Sequence, residues 1–492
     1  MAASTVTVGS ARVCPPKLKA PRSQFIKWLV PFGLGILICI CPHPAGLTPV
    51  AWHYFALFVA VIAALITEPI PGAAVGIVGI STACVFLLVG QTPAGAMKWA
   101  LSGFSNDTVW IIFAANMFAV GYEVTGFGRR LGLMLVKRLG RSTLGLGYAI
   151  ALSDLLLSPF MPSVTARSGG TIYPLVKSIP PIFGSYPDDN PRKIGSYLMW
   201  TSFATCCVTS SLFLTSFAPN PLATEIVRKV AHVDISWKMW ALGVLPVGLI
   251  LFILTPLLSY ILYPPTIKKS VEVSDWAASE LRILGRLTRR ELFMALLAIA
   301  SLIAWIGASK WVAPTIVALA AVSLMILTKV ISWDDMVGSK QAWNILVWFA
   351  TLVALAEGLS TVGFLTWFAK SSTGLTAHLS VTTAVIAMVV VFFVVHYAFA
   401  SGAAQTASLL PVFLAAAVLI PGIPVRPISL LLLYSMGLMG VISPYAIGPA
   451  PIYFGSGFIP SKDFWRLGFI FGALYLIVLL GVGLPYLLKV LP

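Results

Sequence analysis

Two stretches, Ser153-Asp154-Leu155-Leu156-Leu157-Ser158-Pro159-Phe160-Met161-Pro162-Ser163-Val164-Thr165-Ala166-Arg167-Ser168-Gly169-Gly170 and Val394-Val395-His396-Tyr397-Ala398-Phe399-Ala400-Ser401-Gly402-Ala403-Ala404-Gln405-Thr406, lie half a chain apart and read as versions of one another. Each is an apolar segment broken midway by small and hydroxyl-bearing residues, and each carries one ionisable cation, Arg167 or His396. In a chain that crosses a bilayer, interrupted helices at corresponding places in two halves mark a substrate site, because a broken helix offers free backbone groups to a ligand.

The bilayer is implied by composition. Of 492 residues, 59% are hydrophobic and 10% charged, against about 25% charged in a soluble domain; mean hydropathy is +0.95. Apolar runs near 26–42, 51–67, 70–90, 107–122, 195–217, 241–263, 291–308, 314–331, 343–360, 380–400, 428–442 and 464–488 approach the ~20 residues of a spanning helix. They predict an all-α polytopic bundle of about eleven crossings plus two re-entrant hairpins.

The net charge of +16 sits in loops beside apolar helices, which reads as topology rather than nucleic-acid binding. Arg12, Lys17, Lys19, Arg22 and Lys27 precede the first helix, Arg129 to Arg141 follow the fourth, and Lys268 to Arg290 follow the sixth. With a cytoplasmic amino terminus all three clusters fall on one side, as the positive-inside rule requires. The first ~25 residues hold no apolar core with a small-residue cleavage site, so no cleaved secretory signal is expected. Cys14, Cys39, Cys41, Cys84, Cys206 and Cys207 show no metal-ligand spacing.

The chain divides into a basic segment 1–25, a first repeat 26–263 with its hairpin near 144–180, a cytoplasmic linker 264–290 with a short amphipathic helix Val273 to Leu284, and a second repeat 291–492 with its hairpin near 380–420. Ser163 and Ser401 are 238 positions apart, and Val124-Thr125-Gly126-Phe127 precedes Thr361-Val362-Gly363-Phe364 by 237. A nearly constant offset carried by two separate features, with five to six crossings per half, implies an inverted repeat.

These residues resemble the divalent anion:sodium symporter superfamily, and within it the plastid and bacterial dicarboxylate exchangers. The resemblance covers nearly the whole chain, including Glu68-Pro69-Ile70-Pro71-Gly72, Ser102-Gly103-Phe104-Ser105-Asn106, Thr125-Gly126-Phe127-Gly128-Arg129-Arg130, Ile331-Ser332-Trp333-Asp334-Asp335 and Gly448-Pro449-Ala450-Pro451-Ile452-Tyr453. It implies a transport domain that slides past a dimerising scaffold in an elevator motion. It also implies a Ser-Asn-Thr motif at each hairpin tip that holds substrate carboxylates, with sodium bound close by. Here the tips are Ser163-Val164-Thr165 and Ser401-Gly402-Ala403, and both asparagines are missing. A hard cation needs about six oxygens, and Val and Gly offer only backbone ones. A second motif pair, usually Thr-Pro-Pro-Asn, keeps Pro219 and Asn220 in the first half and only Pro449 in the second, where Ile447, Gly448 and Ala450 replace the other three.

The expected substrate contacts are therefore Ser163, Val164, Thr165, Asn220, Ser401, Gly402, Ala403, Gly448 and Pro449. Arg167, four residues after the first tip serine, and His396, five before the second, are expected to supply in place of sodium the positive charge that a dicarboxylate needs. The bland alternatives are that Arg167 pairs with Asp154 and that His396 is a satisfied core histidine. Uncompensated fixed cations oppose return of the empty site at ~3 kcal/mol for an Arg, or about two orders of magnitude in rate. Obligate, sodium-independent exchange of di- or tricarboxylates such as malate, 2-oxoglutarate, succinate, tartrate or citrate follows. Sodium-coupled symport is the alternative. No enzymatic motif, metal site or cofactor site is expected: no Gly-x-Ser-x-Gly elbow joins a strand to a helix, and Gly33-x-Gly35 has no strand before it. The expected setting is an inner (plasma) membrane, or alternatively a plastid or other organelle's inner membrane; the expected partners are carboxylates, lipid and a second copy of the chain.

Overall fold

The computed structural model describes residues 21–67, 69–307, 311–372 and 380–491. Arg12, Cys14, Lys17, Lys19 and Glu68, which the sequence singled out, lie outside them. The described residues form helices with no strand, and eight of the helices are long and apolar enough to cross a membrane, from Pro49–Thr67 to the continuous run Ser461–Val490. Five more apolar helices have 10–17 residues. At 1.5 Å per residue these fall short of the ~30 Å hydrocarbon core; the breaks that shorten two of them, Gly402–Val418 and Val425–Val441, build the site.

Helix starts follow local chemistry. Ser142 Oγ accepts from Gly145 N at 3.1 Å and opens Thr143–Leu157; Asn106 Oδ1 accepts from Thr108 N at 2.9 Å and opens Asp107–Thr125. Gly126 and Gly363, the pair related by the offset of 237, both adopt the left-handed backbone, at φ +70° and +81°, and follow the helices Asp107–Thr125 and Lys340–Thr361.

The apolar run 195–217 stops being helical at Leu212, just before Thr215 and Ser216. Gly195–Leu212 is wrapped on its sides by Trp237–Leu262, Thr143–Leu157 and Val425–Leu438. Tyr453 ties this central helix to the first hairpin, with its hydroxyl 2.6 Å from Ser202 Oγ and 3.0 Å from Ser168 Oγ.

The linker holds the helix Val271–Leu284, which packs on the basic helix Phe127–Leu139. Arg129 pairs with Glu280 at 2.7 Å, and the buried Arg130 pairs with Glu291 at 2.6 Å while donating to the carbonyls of Leu284 and Gly285. Two of the three basic clusters thus lie against one another on one side of the bundle.

Candidate functional site

Each hairpin is two helical arms joined at a short irregular tip. The first runs from Thr143–Leu157 through a 3-10 turn, Ser158–Phe160, into a π-helical segment, Thr165–Ile172. The second runs from Val381–Val395 through His396–Ala398 into Gly402–Val418, whose start is capped by Ser401 Oγ accepting from Ala404 N at 3.3 Å.

Side chains clasp both tips. Arg167 is wholly buried, and each of its five N–H groups has an acceptor: Nε donates to Asp154 Oδ1 at 3.2 Å, Nη1 to the carbonyls of Met161 at 2.8 Å and Ser216 at 2.6 Å, and Nη2 to Thr209 Oγ1 and Ser210 Oγ at 3.3 Å each. Thr209 in turn donates to the other oxygen of Asp154. His396, also wholly buried, places Nδ1 2.5 Å from Gln405 Oε1 and Nε2 3.0 Å from the carbonyl oxygen of Ala446. Asp154–Arg167 spans one tip and His396–Gln405 the other.

Arg167 and His396 meet equivalent backbone. Ser216 lies three residues before Pro219, and Ala446 three before Pro449. These prolines follow the two broken helices, whose carbonyls lack helical partners and, out of reach of water, must find other donors. Arg167 and His396 supply them.

Arg167 therefore does not stand as a bare cation facing the site. Asp154, 2% exposed, balances its charge inside the protein, so the ~3 kcal/mol for an uncompensated arginine does not arise at the first tip. The Met161 and Ser216 carbonyls, together with that of Ala446, are already taken by protein donors, and Val164 and Gly402 carry no side-chain oxygen. A hard cation wants about six oxygens, and these three carbonyls are not free to supply them.

The expected contacts fall into two groups. Thr165 meets the second motif directly: a β-carbon at Gly448 would collide with Thr165 Oγ1, and both residues are exposed, whereas Ser163 and Val164 beside it are buried. Pro449 is buried behind Gly448. The converse pairing occurs at the second tip, where a β-carbon at Gly402 would lie 3.0 Å from Phe217 Cζ; Ser401 and Ala403 are half-buried beside it. Asn220 is fully buried, its amide donating to the carbonyls of Ser210 at 2.9 Å and Phe213 at 3.2 Å, so it caps the broken helix. Its Oδ1 finds no partner among the described residues.

Sequence reasoning passed over Gln341. Its Nε2 donates to Ser163 Oγ at 2.7 Å, and it lines a cavity of about 280 Å³ with Asn116, Glu123, Met161, Ala166 and Thr171. That is near the lower end of small-molecule sites. A second cavity of about 600 Å³ shares Glu123, Gly170 and Thr171 with it and reaches Trp276 and Glu280 on the linker helix. The two form a path from the linker side to the first tip. A lone glutamine in the first turn of an apolar helix gives no sequence signal; of the two clasps, only Asp154–Arg167 was named from the sequence, as the alternative to a substrate-facing arginine.

Pairs of helices broken around buried polar tips, reached by a lined cavity, are the architecture of a polytopic membrane carrier. The chain belongs to the sodium:sulfate symporter family, matching its transmembrane region over residues 22–491. It is 47% identical over 480 residues to a citrate/succinate antiporter of Escherichia coli (strain K12), covering 95% of this chain and 98% of that protein. It is 43% identical over 484 residues to an L-tartrate/succinate antiporter of Shigella sonnei (strain Ss046), covering 96% and 99%. Among solved structures it resembles the YdaH transporter of Alcanivorax borkumensis, with a TM-score of 0.56 over 94% of this chain and 97% of that one; at 15% identity this bears on the fold alone.

Proposed function

We propose that the protein exchanges one di- or tricarboxylate for another across the membrane without sodium, with substrates of the succinate, tartrate and citrate type. One observation carries this reading: guanidinium and imidazole hold the broken-helix carbonyls of Ser216 and Ala446, so the backbone oxygens that would draw an alkali ion are satisfied by permanent donors. Ser163, Thr165 and Ser401 offer hydroxyls, and Gly448 leaves backbone open to a carboxylate.

At the second tip, Gln405 Nε2 donates to the carbonyl of Phe392 at 2.7 Å, which turns Oε1 toward the imidazole, and the ring's other nitrogen reaches the Ala446 carbonyl, so protein groups hold His396 on both edges. The two hairpins move together past the remaining helices, the amino terminus is cytoplasmic, the membrane is an inner (plasma) membrane and the carrier works as a homodimer. The docking of the basic helix Phe127–Leu139 on the linker supports the orientation, since it gathers two basic clusters on one face.

Counterflow in proteoliposomes tests this. Labelled succinate should enter vesicles preloaded with tartrate, citrate or succinate, at equal rates in sodium and in choline, and should not enter vesicles loaded with chloride. A requirement for sodium would overturn the reading. So would unabated exchange in His396→Phe, which frees the Ala446 carbonyl.

A further inference from the structure

The helix Lys340–Thr361 packs on Gly72–Val85, Pro93–Ser102 and Asp107–Thr125, whereas the first hairpin packs chiefly on Phe127–Leu139, Gly195–Leu212 and Trp237–Leu262, with Asp107–Thr125 touching both groups. Gln341 crosses between these packing groups, and its bond to Ser163 Oγ at 2.7 Å ties a tip residue to a helix outside the hairpin. Ser163 Oγ also accepts from Ala166 N at 3.3 Å, so both of its lone-pair directions are used while its own proton stays available. The bond lies beside the cavity lined by Met161, Ala166 and Gln341, which shares Glu123, Gly170 and Thr171 with the cavity that reaches the linker helix.

We infer that Gln341 is a face-selective latch: the Gln341–Ser163 hydrogen bond holds the unloaded carrier with its first tip open on the linker side. This rests on the exchange reading above, in which the hairpins move past the other helices. A contact made in one end state and broken in the other shifts the equilibrium by its own strength, whatever the substrate does. A single neutral hydrogen bond is worth about a fivefold shift in population. Since Asp154 neutralises Arg167, charge at the first tip does not hold back the empty carrier, and the latch supplies a restraint of another kind. Apparent affinity on a face scales with the fraction of carrier open there, so the latch tightens binding on the linker face and weakens it on the opposite one.

The test compares wild type with Gln341→Ala and with Gln341→Met, which keeps side-chain length without the amide, in vesicles of uniform orientation loaded with labelled succinate. Net efflux into substrate-free buffer should rise about fivefold in both variants relative to their exchange rates. The KM for succinate should rise on the linker face and fall on the other. Variants that exchange succinate but show wild-type net efflux would overturn the latch. A KM that rises equally on both faces would overturn it too, marking Gln341 as a plain substrate ligand. If either variant fails to fold, the other decides; if both fail, Gln341 is a structural residue and the latch is refuted. Wild-type efflux as fast without external substrate as with it would instead sink the exchange reading.

Discussion

Replacing Arg167 by alanine removes the hub of the first tip. Five hydrogen bonds disappear at once: one to Asp154, two to the carbonyls of Met161 and Ser216, and two to the hydroxyls of Thr209 and Ser210. Asp154 is then left buried with Thr209 as its remaining side-chain donor among the described residues. Removing one partner of a buried ion pair costs about 3–5 kcal/mol, and each orphaned carbonyl about 1–3 kcal/mol. The groups touch one another, so the terms do not add; the expected loss is about 5 kcal/mol, the top of the ion-pair range. Asp154→Leu alone strands the guanidinium and should cost about 3–5 kcal/mol as well. The double variant Asp154→Leu/Arg167→Met buries no charge, and should be at least about 2 kcal/mol more stable than Arg167→Ala, the remaining deficit coming from the two carbonyls. Reversible unfolding in mixed micelles, run as a double-mutant cycle, measures this. A double variant whose loss equals the sum of the singles would refute the clasp, because it would mean that the two charges do not feel each other. Arg167→Lys should fail to rescue, since three donors on a flexible stem cannot span five acceptors arranged around a planar fork.

Gly448→Ala should push Thr165 aside and cost about 1–3 kcal/mol as an overpacked contact; the folded fraction should recover in Gly448→Ala/Thr165→Gly, which removes the colliding hydroxyl, and a Gly448→Ala protein that exchanges like wild type would contradict the contact. Two of the ion pairs outside the tips should differ in worth. Arg130→Met breaks a pair with side chains 8% and 4% exposed and should cost about 3–5 kcal/mol. Glu357→Gln breaks the Lys229 pair, 22% and 39% exposed, and should cost under ~1 kcal/mol, less still at high salt. Equal losses in chemical denaturation would show that burial is not what separates them.

The places where sequence reading fell short share a cause. The small and proline residues of Thr215-Ser216-Phe217-Ala218-Pro219-Asn220 mark a break in an apolar helix, but the helix ends earlier, at Leu212, because a one-dimensional profile does not distinguish a buried irregular turn from a buried helix. Arg167 was correctly noted beside Ser163, but spacing along the chain does not say which way a long side chain points. It reaches Asp154, thirteen residues earlier, only because the chain folds back at Ser158–Phe160. Gln341 stands 178 positions from Ser163 and carries no pattern that would pair them.

The sequence alone determined the helical membrane class, the tips at Ser163 and Ser401 and the repeat offset shared by Gly126 and Gly363, because these follow from local hydropathy, helix breakers and internal similarity. The tertiary structure decided the balance of charge. Asp154 neutralises Arg167, Gln405 and the Ala446 carbonyl hold both nitrogens of His396, and Gln341 closes on Ser163, since electrostatic and hydrogen-bond energies depend on distances of a few ångströms between groups that the chain brings together only on folding.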